Sequence, residues 1–144
     1  MVTNTECLRN MPCLRDFSDQ ELSAIAEICD SICYSAEHIL FNQGEPAKLL
    51  YLLNKGKIDI IHEEEGMEPR RVDRISVGEI VGGSALVPPY QYNASAKCQT
   101  EVEVLEINTD QLQELINKDK ALGLKIQACF IGLLVKHILQ LRTA

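Results

Sequence analysis

The chain has no unbroken apolar run long enough to cross a bilayer, and its first residues carry Glu6, Arg9 and Pro12 where a secretory signal would have an apolar core. A cytoplasmic protein without a membrane segment is expected. Positive charge is also scarce, with 14 Lys and Arg against 21 Asp and Glu, a net charge of −7. That surplus repels a phosphate backbone and no basic recognition helix follows it, so direct nucleic-acid binding is not expected. Among Cys7, Cys13, Cys29, Cys33, Cys98 and Cys129 there is no CxxC pair. Buried free thiols are the expected state, because cysteine is among the residues most often buried and a reducing compartment disfavours disulfides. A cysteine-based redox or metal sensor needs at least three of these sulfurs to converge. No G-x-S-x-G turn is present: Ser84 stands in G-G-S-A, and no acid and histidine are placed to support it. The sequence therefore carries no catalytic constellation, and enzymatic activity is not expected.

With 144 residues, 46% apolar and 24% charged, there is enough material for one core, and a single domain over residues 1–144 is expected. Residues 1–36 read as an N-terminal helical segment. Ser18 is a candidate N-cap, and Leu22, Ile25, Ala26, Cys29 and Ile32 fall at helical spacing over 19–33. From 37 to 108 short apolar runs alternate with turn signals at 42–46, 54–57, 63–69, 76–79 and 88–93. Residues 101–107, EVEVLEI, alternate as a strand with a solvated acidic face should. Asn108 or Thr109 can cap a short helix containing Leu112, Leu115 and Ile116. A longer helix over 121–141 carries Leu122, Ile126, Cys129, Phe130, Leu133, Leu134, His137 and Leu141 at helical spacing, with Ile131, Val135 and Ile138 as a second apolar flank. The predicted fold is mainly β with flanking helices: a double-stranded β-helix or jelly-roll barrel over 37–108, then C-terminal helices over 109–144 and no DNA-binding domain.

The segment 78–97, GEIVGGSALVPPYQYNASAK, is the candidate site. A strand reaches a Gly-Gly turn, small Ser84 and Ala85 allow close backbone approach, and a helical turn starting there presents N–H groups suited to an anion.

Several other segments occur with it in a fixed order: 8–22 LRNMPCLRDFSDQEL, 34–45 YSAEHILFNQGE, 51–60 YLLNKGKIDI and the strand 102–112 running into a helix. Together they resemble the cyclic-nucleotide-binding domain family, found in catabolite-activator and fumarate–nitrate regulators, kinase regulatory subunits and gated channels. The resemblance implies ligand contacts from Val81, Gly82, Gly83, Ser84, Ala85 and Leu86, and from Tyr92, Asn93, Ala94 and Ser95. Against the family pattern F-G-E-x-A-L, a loop and R-x-A-[ST]-V, Gly83 stands where the ribose-binding glutamate would be. Tyr92 stands where the phosphate-binding arginine would be. Tyr92 can stack on a ligand ring or close an empty pocket. His137 falls where the family's C-terminal helix approaches the base, or lies in a dimer seam.

The resemblance thus implies a stand-alone ligand-sensing regulatory domain for cyclic AMP, cyclic GMP or a related anion, with both usual charges replaced. It also implies a homodimer through the C-terminal helix and a downstream protein partner. The alternatives are an interaction or dimerisation module that has lost nucleotide binding, and the cysteine-based sensor.

Overall fold

Local chemistry explains where each element begins. A computed structural model describes the backbone of residues 3–143, with side chains as far as Leu139. Thr3 caps α1 (Asn4–Arg9) by accepting from the Glu6 N–H, and a 3-10 turn follows at Pro12–Leu14. Ser18 opens α2 (Asp19–Ala26) with a reciprocal pair: its hydroxyl accepts from Glu21 N–H at 3.1 Å, and the Glu21 carboxylate accepts from Ser18 N–H at 2.9 Å.

The expected helix over 19–33 stops at Ala26. Residues Cys29–Tyr34 form strand β1, paired antiparallel with β8 (Val102–Asn108). The helical segment therefore does not extend to 36, and the β-roll begins ahead of residue 37. Cys29 and Ile32 suit either period. Pairing with β8 selects the strand, placing Cys29 in the core beneath the helices and Ile32 and Tyr34 against the core between the sheets.

The remaining strands are β2 (Ile39–Phe41), β3 (Leu49–Lys55), β4 (Ile58–His62), β5 (Arg70–Ile75), β6 (Ile80–Val81) and β7 (Ser95–Cys98). They form two antiparallel four-stranded sheets, ordered β1-β8-β3-β6 and β2-β7-β4-β5. This is the mainly β, jelly-roll architecture expected from the sequence. Strand β3 is buried on both faces. Leu50 and Leu52 pack beneath the helices, whereas Tyr51 and Leu53 point between the sheets. In β8, Leu105 and Ile107 take the helical side, and Val102 and Val104 the inter-sheet side. The acids of 101–107 are accordingly not a purely solvated face: Glu103 and Glu106 are half-buried, and Glu106 accepts from the Tyr34 hydroxyl at 3.2 Å.

Asn108 caps α3 (Thr109–Lys118), its side chain accepting from Asp110 and Gln111 N–H groups. Helix α4 (Lys120–Thr143) packs Leu122, Ile126, Cys129 and Phe130 into the core that holds Leu8, Met11, Leu14 and Leu22. The side chain of Leu141, placed on this face from sequence, lies outside the described residues. By length and composition Lys120–Leu139 is apolar enough to cross a membrane, contrary to the sequence expectation, because its three lysines do not offset its aliphatic content. In this fold its inner face is covered by the N-terminal segment.

The expectation of six free thiols also fails at one pair. Cys13, in the 3-10 turn, and Cys129, in α4, form a disulfide with Cα atoms 5.3 Å apart. The two residues are 116 positions apart in sequence, so no local spacing announces the bridge. Cys7, Cys29, Cys33 and Cys98 remain free, and of these only Cys33 is exposed.

Candidate functional site

Strand β6 delivers Val81 to the core between the sheets, and the chain then turns at Gly82 with φ +87°. A Cβ there would lie 3.0 Å from the Leu49 carbonyl oxygen and 3.4 Å from Tyr92 Cε1, so both backbone conformation and space require glycine. Gly83–Leu86 forms a 3-10 turn. Within it, the Ala85 N–H donates to the Gly82 carbonyl at 3.0 Å, which removes it from the N–H groups expected to face an anion. Ala85 is buried, and Ser84 and Leu86 are half-buried.

Tyr92 closes the inner side of this turn. Its ring stacks on Phe41 with centroids 3.7 Å apart and planes 10° from parallel. Its hydroxyl donates to the Leu49 carbonyl at 2.7 Å and accepts from the Leu49 N–H at 3.3 Å. Burial pushes its phenol pKa above the ordinary value, as expected for a group held neutral in the core. Tyr92 therefore packs behind the cassette, stacked on Phe41 and hydrogen-bonded to Leu49. Ser95 is buried, and its hydroxyl accepts from Gln43 N–H at 2.8 Å. Asn93 is exposed and Ala94 half-buried.

The other side of the turn is covered by α4. A Cβ on Gly83 would meet Leu134 Cδ2 at 3.4 Å. The cassette backbone is thus held between the Phe41–Tyr92 stack at Gly82 and Leu134 at Gly83.

His137, one helical turn beyond Leu134, is brought against Glu79 at the start of the 78–97 segment, and its hydrogen bonds do not go to Val81–Leu86 or Tyr92–Ser95. Its Nε2 contacts Asp73 of β5 and its Nδ1 contacts Glu79, just before β6, and the three side chains are only 19%, 17% and 21% exposed. Burial lowers the imidazole pKa, but the Asp73 hydrogen bond and the charges of Glu79 and Asp73 outweigh it, and the net shift is upward. Sequence reasoning missed Phe41 and Asp73 as members of this region, and gave Glu79, although inside 78–97, no role. Phe41 lay inside a recognised segment, but nothing local to Asp73 or Glu79 points to a histidine on a distant helix.

A groove of about 790 Å³ is lined by Ala85, Leu86, Val87 and Tyr90 of the cassette segment together with residues of α3 and α4, so Ala85 and Leu86 are the predicted contacts that border it. It is separate from the Gly82–Tyr92 contact. No group of three His, Cys, Asp or Glu among the described residues is placed to hold a metal. Burial raises the thiol pKa of Cys7 and Cys98 and pushes Cys29 up to about 12, leaving these three poor nucleophiles.

These features sit in a widely shared framework. The regulatory subunit of cAMP-dependent protein kinase from Emericella nidulans is 28% identical over 109 residues, 76% of this chain and 26% of that protein. The cGMP-dependent protein kinase egl-4 of Caenorhabditis elegans is 26% identical over 111 residues, 76% of this chain and 14% of that protein. The chain thus spans about a quarter or less of the length of these relatives. A solved cyclic nucleotide-binding domain from Methylobacillus flagellatus KT superposes with TM-score 0.84 at 18% identity, covering 96% of this chain and 78% of that one. Residues 32–119, more than half of the sequence, match the cyclic nucleotide-binding domain, and the chain belongs to that family.

Proposed function

We propose that this chain is a regulatory domain whose responding element is α4, and that it works as a homodimer paired along α4 and passes its state to a separate protein. The observation that carries this reading is the closure of the cassette by the chain's own side chains, the Phe41–Tyr92 stack on one side and Leu134 on the other. The relatives' names assign cyclic AMP and cyclic GMP to their kinases. In this chain such a ligand would bind without the glutamate and arginine of the family pattern, at a turn that Leu134 of α4 borders. Loss of one charge-assisted contact costs about 1.5–3 kcal/mol, roughly one to two decades in affinity.

Pairing along α4 is supported by its outer face. Leu124, Ala128, Ile131, Val135 and Ile138 are exposed and recur at alternating spacings of four and three, the seam of a two-helix coiled coil. Calorimetric titration with cyclic AMP and cyclic GMP, beside sedimentation of the unliganded protein, tests the reading. The expected result is a dimer without ligand and affinities weaker than about 100 µM, from the decades lost above. Micromolar binding that weakens in Ser95→Ala would establish the second reading, a ligand sensor that uses cassette hydroxyls and backbone N–H groups. That reading draws on the retained left-handed turn at Gly82. A monomer in sedimentation would remove the pairing.

A further inference from the structure

We propose that Asp73, Glu79 and His137 form a proton-operated latch that fastens the C-terminal half of α4 over the cassette, closed when the imidazole carries both ring protons and loosened when it carries one. The three residues come from separate elements: Asp73 from β5, Glu79 from the turn before β6, and His137 from α4. Each carboxylate is already oriented by local backbone. One oxygen of Asp73 accepts from the Arg74 N–H at 2.7 Å, and one oxygen of Glu79 accepts from the Ser76 N–H at 2.8 Å. The second oxygen of each is presented to a different ring nitrogen of His137. Only the imidazolium can donate to both, because a neutral ring has a single N–H. Asp73 and Glu79 are the charged groups that bear on the ring. Arg74, the residue after Asp73 in β5, turns its guanidinium to Asp59 at 2.7 Å.

Deprotonation therefore breaks one of the two contacts and leaves two half-buried carboxylates facing a ring with no charge. The latch sits one turn of α4 from Leu134, the residue over Gly83, and Glu79 is three residues before Gly82, in the turn that leads into β6 and the cassette. Its release frees the helix and the cassette at the same place. The consequence for signalling rests on the proposed role of α4. The latch itself lies within one chain and needs neither a ligand nor a second copy.

The experiment is hydrogen exchange of α4 amides 133–139 on the full chain between pH 6 and 8.5, corrected for intrinsic exchange, with an NMR titration of the His137 ring. The loss of one charge-assisted contact predicts that the opening population rises about tenfold across that range. His137→Gln should show the raised exchange at both ends. Asp73→Asn, which keeps the ring, should move its titration midpoint downward. Exchange that does not change with pH, the wild-type pH profile persisting in His137→Gln, or a ring midpoint at or below the peptide value of about 6.5 would each overturn the latch. Sedimentation at the same pH values separates this outcome from a failure of the dimer, since a monomer with a pH-dependent ring and helix still carries the latch.

Discussion

Replacing Tyr92 by Phe keeps the stack on Phe41 and removes only the hydroxyl, so it isolates what the polar end of the aromatic plug contributes. The hydroxyl serves both backbone groups of Leu49, as donor to the carbonyl at 2.7 Å and acceptor from the N–H at 3.3 Å. An unpaired buried polar group costs about 1–3 kcal/mol, and the half-exposed position of Leu49 places the loss at the lower end, about 1–2 kcal/mol. For a chain of this length that is a fall in Tm of about 3–8 °C. Tyr92→Leu also removes the ring, and in a cycle with Phe41→Leu the stack should return a coupling of about 0.5–1.5 kcal/mol. Denaturant unfolding and calorimetry measure both quantities. Tyr92→Arg restores the family's residue but sets a guanidinium against Phe41 in the core. It should cost about 3 kcal/mol or more without ligand, with partial recovery on adding cyclic nucleotide. If Tyr92→Phe is as stable as the wild type and Tyr92→Arg is tolerated without ligand, the closed cassette is refuted.

Gly56 should be the least replaceable glycine. It has φ +91°, and a Cβ would fall 2.3 Å from the Glu101 carbonyl oxygen, so Gly56→Ala is expected to lose about 3 kcal/mol or more in chemical denaturation, backbone strain and overpacking combined. Reduction of Cys13–Cys129, which closes a loop with a separation of 116 residues, should lower stability by about 2–5 kcal/mol, read as a Tm difference with and without dithiothreitol and reproduced by Cys13→Ser. Because the folded His137 pKa is raised, its contribution to stability is complete below the unfolded value of about 6.5 and is lost as pH rises through the folded value. A Tm that falls over that window in the wild type and not in His137→Gln is expected. Gly83→Glu should displace Leu134 and increase exchange in α4 even without ligand, which hydrogen exchange can read directly.

Much of the roll was legible because its punctuation is local. The turn signals at 42–46, 63–69 and 76–79 each fall between observed strands, 54–57 spans the end of β3 and the turn into β4, and 88–93 lies between the cassette turn and β7. The caps at Ser18 and Asn108 are where the sequence places them, since a cap is a relation among neighbours. Strand β1 was not legible, because apolar residues spaced by three and four also satisfy parts of a strand and only β8 decides between them. The same limit applies to the site. The loss of glutamate and arginine could be read from Gly83 and Tyr92, but the direction of the Tyr92 ring depends on Phe41 and Leu49, and the partners of His137 lie 58 and 64 residues away.

The two departures from the family pattern act on opposite faces of one short turn. At Gly83 a Cβ would just touch Leu134, so a longer side chain at this position would extend toward α4. At position 92 the replacement of a cation by Tyr exchanges a group that needs an anionic partner for one satisfied by Leu49 and Phe41 inside the chain. Each substitution alone leaves a defect: an arginine behind a closed helix would be an unpaired charge, and a glutamate before Tyr92 would press on Leu134. A domain built this way keeps α4 seated by default, fastened toward its start by the Cys13 bridge and the Lys125–Glu21 ion pair and toward its end by His137. What remains adjustable is the strength of those fastenings, and among them the imidazole is the group whose charge changes near neutral pH.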